Sequence, residues 1–191
     1  MANQDAAFGL KAIGKVGQNR DNQGLSEYSI AANATAIYQW DPVKMAATGT
    51  IVVAGAGGAI MGSLNGVFYT DASTSKPTWA NHLNASNTAT DIVGFVSDDP
   101  YERFEIQSNN AGASNANDVF AVADIAYAAG SSPDYISGVE LNDSTIANGS
   151  SATLQILGAS KDPSNNDVGS ANVNWVVRIN EHELDMNVNG V

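Results

Sequence analysis

Short runs of alternating large and polar residues, separated by clusters of Gly, Asn, Ser, Asp and Pro, constrain the fold of this chain most. The clearest run lies near the end, where Val173, Trp175, Val177 and Ile179 recur at every second position. A period of two places alternate side chains on opposite faces of a strand. About ten such runs are present, and only "TWANHL" favours a short helical turn. The pattern therefore predicts an all-β protein, built as an antiparallel β-barrel or β-sandwich with long polar loops.

The segment "DVFAVADIAYAAG", residues 118–130, gives conflicting signals. Its alanines favour a helix, whereas the alternation of Val119, Ala121, Ala123 and Ile125 with their neighbours favours a strand. We predict a strand. The polar segments 71–90 and 108–118 are expected to be exposed loops, the first anchored by Trp79.

Periodicity also divides the chain. Residues 1–25 carry four spaced glycines and little periodicity, which predicts an extended N-terminal arm. Residues 26–191 form the predicted β-rich body, either as one unit or as two sub-barrels near 26–110 and 118–191. A weak internal echo, a strand followed by an Asp-Pro loop and another strand, occurs at Asp99-Pro100 and again at Asp162-Pro163. It indicates either a duplicated unit or a common way to turn a chain.

Charge and composition exclude several classes of protein. Charged residues make up only 15% of the chain, and the net charge is −12. Binding to nucleic acid requires clustered Lys and Arg, so we expect no direct nucleic-acid partner. The lack of cysteine excludes disulfides, thiolate metal sites and cysteine nucleophiles. We expect no signal peptide and no membrane span, since no run approaches the roughly 18 apolar residues that a span needs.

The stretch "TIVVAGAGGAIMGS", residues 50–63, has the look of a dinucleotide-binding turn. That motif needs three spaced glycines followed by a helix whose N–H groups hold the phosphates. Gly55 and Gly57 fit, but Ile60 occupies the third position, and "GVFYT" already predicts another strand. We therefore expect a glycine turn with positive φ between two short strands, and no bound cofactor.

Catalytic residues are sparse. His82 lies in a polar segment and His182 near the end of a strand, and we expect both to make surface or interface hydrogen bonds rather than to act in a catalytic triad. A pair of carboxylates could serve a glycosidase, and a cluster could bind calcium, but neither has the spacing of a known site. The carboxylates considered are Asp98, Asp99, Glu102 and Glu105. The sequence favours a protein that is not an enzyme and holds no metal.

Three segments together cover much of the chain and carry a resemblance. They are "DPVKMAATGTIVVAGAGGAIMGSLNGVFYTD", "ATDIVGFVSDDPYERFEIQ" and "ILGASKDPSNNDVGSANVNWVVRINEHEL". They resemble virion structural proteins of tailed bacteriophages, many of them from aquatic hosts. The first segment is also similar to small β-barrel capsid decoration proteins. The resemblance implies a structural role but assigns no site residues.

Two hypotheses follow from that resemblance. The first is a capsid decoration or cement protein, made in the host cytoplasm, that binds the major capsid protein on the outer capsid surface and stabilises the head, as a homotrimer. The second is a β-rich head appendage that binds the host or a carbohydrate. An extended arm favours the first, because cement needs several protein contacts per copy, whereas a lectin needs a compact pocket with an exposed aromatic ring.

The predicted attachment residues lie in the arm. Phe8 and Leu10 are expected to fill a groove on a neighbour, while the arm's cations face an acidic partner surface. The cations are Lys11, Lys15 and Arg20. The arm has too few large apolar groups for a core of its own, so we expect the body to fold without it.

Overall fold

A computed structural model describes residues 3–15, 24–110, 114–149 and 151–185. Within these ranges the chain is almost entirely β, with two 3₁₀ turns at Ala116–Asp118 and Asp143–Thr145, and no helix there is long and apolar enough to cross a membrane. The strands are β1 (Lys11–Lys15), β2 (Ser26–Ser29), β3 (Pro42–Ala46), β4 (Thr50–Val53), β5 (Gly62–Thr70), β6 (Pro77–Ala80), β7 (Val93–Ser97), β8 (Glu102–Gln107), β9 (Val122–Ala123), β10 (Ile125–Ala126), β11 (Glu140–Leu141), β12 (Leu154–Ala159) and β13 (Asn174–Ile179).

The first sheet, sheet A, has five antiparallel strands in the order β1-β8-β13-β12-β9. Strand β13 lies at its centre, with Trp175 opposite Ile106 and Val177 opposite Phe104. The four residues that the sequence placed on one face of β13 are buried, which confirms that strand and its inward face. They form the core beneath sheet A together with residues of β8 and β12.

The second sheet, sheet B, has the strand order β2-β7-β5-β3-β4, and β6 pairs with the far end of β5. All its pairings are antiparallel. Its core is a separate cluster that includes Ile37, Val43, Leu64, Val67 and Val96. Strands β10 and β11 form a small ribbon of their own.

The all-β prediction is confirmed, with the sheets packed in a sandwich-like arrangement, but the barrel alternative is wrong. A barrel requires the first and last strands of a sheet to pair. In sheet B these are β2 and β4, and in the described chain each pairs only with its inner neighbour. Sheet A ends on the two-residue strand β9 and on β1, which also do not pair with each other.

The change from sheet B to sheet A comes at residues 98–101, between β7 and β8, rather than near residue 110. The two Asp-Pro loops therefore differ in what they join. Strands β12 and β13 pair directly across their loop, whereas β7 and β8 belong to different sheets. The echo in the sequence thus joins strands in two unlike ways.

Several local predictions are corrected. The segment "TWANHL" is not helical, because Pro77–Ala80 pairs with β5 as β6. In the predicted strand 118–130 only β9 and β10 are regular, and Asp124 separates them. The segment 108–118 is not simply exposed, since Ser108, Ser114 and Asp118 are buried.

Candidate binding surface

Three aromatic side chains lie together on the outer face of sheet B, away from its core. Phe68 of β5 stands opposite Trp79 of β6, and Phe95 lies on the adjacent strand β7. The ring centroids are 4.5 Å apart for Trp79 and Phe95, and 6.3 Å apart for Phe68 and Trp79. Trp79 is 63% exposed and Phe68 37% exposed. We call Phe68, Trp79 and Phe95 the aromatic face.

A glycine creates the space for the indole ring. A Cβ atom added to Gly66 would lie 3.1 Å from the Ala80 carbonyl oxygen and 3.7 Å from Nε1 of Trp79. The β5–β7 register also shifts between Leu64 and Gly66, so β5 is irregular at this point. The absence of a side chain at Gly66 therefore lets the indole lie close against the sheet.

The turn that joins β5 to β6 is held by one carboxylate. Asp71 accepts hydrogen bonds from the Ser73 hydroxyl at 2.6 Å and from the Thr74 backbone N–H at 2.8 Å. These bonds, with that of the Ser73 hydroxyl the largest cause, lower the pKa of Asp71 to about 2. The turn therefore fixes the hairpin that carries both Phe68 and Trp79.

The geometry of the aromatic face indicates what it can bind. The rings are tilted by 49° between Phe68 and Trp79 and by 40° between Trp79 and Phe95, so they are not coplanar. A flat sugar ring stacks best on a coplanar platform, whereas a tilted set of rings offers clefts for the side chains of a protein. Exposed aromatic clusters of this kind are typical of protein interfaces.

A second aromatic group is structural. His82 stacks on Tyr135 with ring centroids 3.9 Å apart and planes 3° apart, and Tyr38 lies 6.4 Å from Tyr135. The Asn81 side chain contacts Nδ1 of His82 at 2.8 Å and donates to the Asp134 carbonyl at 3.1 Å. Burial lowers the pKa of His82. This histidine thus joins the loop around residue 135 to sheet B.

His182 is buried, contrary to the predicted surface position. It is only 2% exposed, and its Nδ1 accepts a hydrogen bond from the Leu184 N–H at 3.1 Å. Burial lowers the pKa of its imidazole. Residue 182 also bridges to Ile60, the residue that follows the glycine turn. The chain therefore uses His182 as a packed residue between the two halves of the structure.

The candidate carboxylates make structural bonds. Asp98 accepts from the Ser26 hydroxyl at 2.9 Å and from the Tyr28 hydroxyl at 2.5 Å, and Asp99 pairs with Lys15 at 2.7 Å. Burial, with the Asp98 bond as the next cause, raises the pKa of Tyr28 to about 12. Within the described ranges no group of three His, Asp or Glu side chains is placed to hold a metal ion. Glu105 likewise accepts a bond from the Ser160 hydroxyl.

The glycine turn has the predicted backbone but a different connection. Gly57 and Gly58 have φ values of +73° and +84°, which confirms the positive φ. Strand β5 follows rather than a helix, and β3 lies between β4 and β5 in sheet B. The stretch therefore crosses over a neighbouring strand, and it provides no helix N-terminus for a phosphate.

The predicted arm residues are largely engaged by the chain itself. Leu10 is fully buried in the core beneath sheet A, and its N–H donates to the Trp40 carbonyl at 2.9 Å. Phe8 is half-buried, while Lys11 is exposed and lies 5.5 Å from the Trp40 ring centroid. This differs from the expected free arm, because β1 gains a full strand pairing with β8. The remaining predicted residue, Arg20, lies outside the described residues, and Lys15 forms the ion pair with Asp99.

The chain was also compared with known proteins. It matches no protein family, no curated protein and no solved structure.

Proposed function

We propose that this chain is a structural subunit of a virus particle, a capsid decoration protein that binds the major capsid protein through its aromatic face. The observation that supports this proposal is the tilted, exposed set of Phe68, Trp79 and Phe95 on a firmly paired sheet. The sequence resemblance to virion proteins of tailed phages supports the choice of partner. We further propose a homotrimer, without enzymatic activity, on the outer capsid surface.

Binding of a protein partner by this face has a simple energetic basis. A Trp side chain buries a large apolar area, and such residues near the centre of an interface contribute most of its binding energy. The surface of this chain carries few charges, 15% of all residues, so an incoming apolar surface meets little desolvation penalty. The free energy gained at Trp79 is therefore available for attachment.

The proposal is tested with purified particles and purified protein. The chain should be present in particles in a fixed ratio to the major capsid protein. Particles stripped of it should bind the wild-type chain, whereas W79A should bind about 30-fold more weakly or worse, as expected for a central Trp. F120A is the matched control, because Phe120 is 72% exposed but lies beside sheet A. Absence from particles, or equal binding by W79A and wild type, contradicts the proposal.

The second candidate is a carbohydrate-binding appendage, and one observation favours it. Trp79 exposes 63% of its surface and could stack on the apolar face of a sugar. Screening the chain against a glycan array separates the two functions. Saturable glycan binding that is lost in W79A and retained in F120A supports the appendage, whereas binding to stripped particles alone supports decoration.

A further inference from the structure

Sheet B ends at two strands whose outer edges face each other. Strands β2 and β4 lie near each other, yet within the described chain they share no backbone hydrogen bond. Following the antiparallel pairings across the sheet shows that they run in the same direction. We call the space between the outer edge of β4 and its opposite wall, formed by β2 and residues 31–35, the seam.

The hydrogen bonds of β4 show which backbone groups face the seam. The Ala54 N–H donates to the Pro42 carbonyl at 2.8 Å, which sets the phase of the β3–β4 ladder. In an antiparallel ladder, alternate residues direct both backbone groups to one side. Thr50 and Val52 therefore bond to β3, whereas Ile51 and Val53 direct their N–H and C=O groups into the seam. No hydrogen bond occupies those outward groups in the described part of the chain.

Two cavities lie along the seam. One, of about 340 Å³, is lined by residues that include Tyr28, Met45 and Ile51. The other, of about 370 Å³, lies between the 31–35 turn and Val52. No charged side chain lines either cavity, although the protein carries a net charge of −12. The seam thus combines open backbone groups with uncharged space for side chains.

We infer that the seam binds an extended segment of another protein, rich in small and β-branched uncharged residues, which pairs antiparallel with β4. Its backbone bonds to the outward N–H and C=O groups of Ile51 and Val53, and its alternate side chains enter the two cavities. The uncharged lining selects an uncharged segment, since a buried unpaired charge is costly. This site is formed by different strands from the aromatic face and does not depend on the proposed function.

The surroundings of β4 favour a single segment over a second copy of the chain. Strand β2 and residues 31–35 already lie alongside β4. A second copy would bring its own β4 with β3 attached, and that additional strand would collide with this wall. A lone segment brings no second strand.

The test uses the full chain and a short capped peptide of alternating Thr and Val. We expect saturable binding, and slower amide hydrogen exchange at Ile51 and Val53, measured by NMR. The amides of Thr50 and Val52 already bond to β3, so their exchange should change far less. Absence of saturable binding, or slowing confined to other regions, overturns the inference.

Two variants locate the contact. V53P removes one outward N–H and leaves the bonds of Thr50 and Val52 to β3, so it should weaken peptide binding about tenfold, whereas V53A keeps that N–H and serves as the matched control. V52K places a charge at the second cavity and should also abolish binding, which keeps the test valid if V53P does not fold. Equal binding by V53P and V53A overturns the inference. Protection of Ile51 and Val53 that rises with protein concentration alone also overturns it, because the occupant is then a second copy.

Discussion

At the scale of single residues, Asp41 shows how burial controls charge. It is fully buried, its Oδ2 accepts the Tyr38 N–H at 2.8 Å, and its Oδ1 has no hydrogen-bond partner. Burial raises its pKa from 3.8 to about 6. The folded state therefore favours the protonated acid, and the stability that this carboxyl contributes is lost as the pH rises through about 6.

We therefore expect D41N to stabilise the protein at neutral and alkaline pH. The shift of about two pKa units corresponds to about 3 kcal/mol, and the amide keeps an acceptor for Tyr38 without the buried charge. The gain should disappear near pH 4, where the native carboxyl is already protonated. Urea unfolding at pH 8 and pH 4 measures both values. D134N, at an exposed residue, is the control, and a gain independent of pH contradicts the explanation.

The glycine turn offers a second test at this scale. Gly57 has φ +73°, and a Cβ added there would meet nothing closer than 3.9 Å, so only backbone strain opposes a side chain. G57V should lower the free energy of unfolding by about 1–3 kcal/mol. Gly55 lies two residues earlier and its φ is not in the left-handed region, so G55V should cost much less. Equal losses for the two variants in urea unfolding are inconsistent with the strain argument.

At the scale of elements, β1 changes the expected role of the N-terminal segment. Leu10 precedes it and is fully buried, whereas Ile13 on the same strand is 46% exposed. L10A should therefore cost about 2–5 kcal/mol in urea unfolding, and I13A much less. A chain that starts at Leu25 loses β1 and the Lys15–Asp99 pair, so it should also be less stable. Retention of full stability by that shortened chain supports the separate arm first expected.

The difference between predicted and observed elements has a physical cause. Alternation revealed β13 because half of its side chains are buried and half are not, and this difference is local. Leu10 gave no such signal, since its burial depends on β8 and β13, about a hundred residues away. The aromatic face was missed for a related reason. Trp79 was expected to anchor a loop, and only the pairing of β5 with β6 places it beside Phe68.

At the scale of the whole molecule, the two cores are connected. Ala54 and Ile60, from the crossover between β4 and β5, pack beneath sheet A, and the Leu10 N–H bonds to Trp40 beside sheet B. We therefore expect one cooperative unfolding transition. L154A in the core of sheet A and L64A in that of sheet B should lower the same melting temperature in calorimetry. Two separate transitions, each sensitive to one variant, contradict this expectation.

The order of the strands in sheet A has a consequence for synthesis on the ribosome. Sheet B uses only residues 26–97, so its strands can pair as soon as that stretch has left the exit tunnel. Strand β1 emerges first of all, yet its neighbour β8 and the central strand β13 are made much later. Closing such distant contacts is slow. The newborn chain thus carries its first strand unpaired through most of translation, and completion of sheet A is a late, post-translational event.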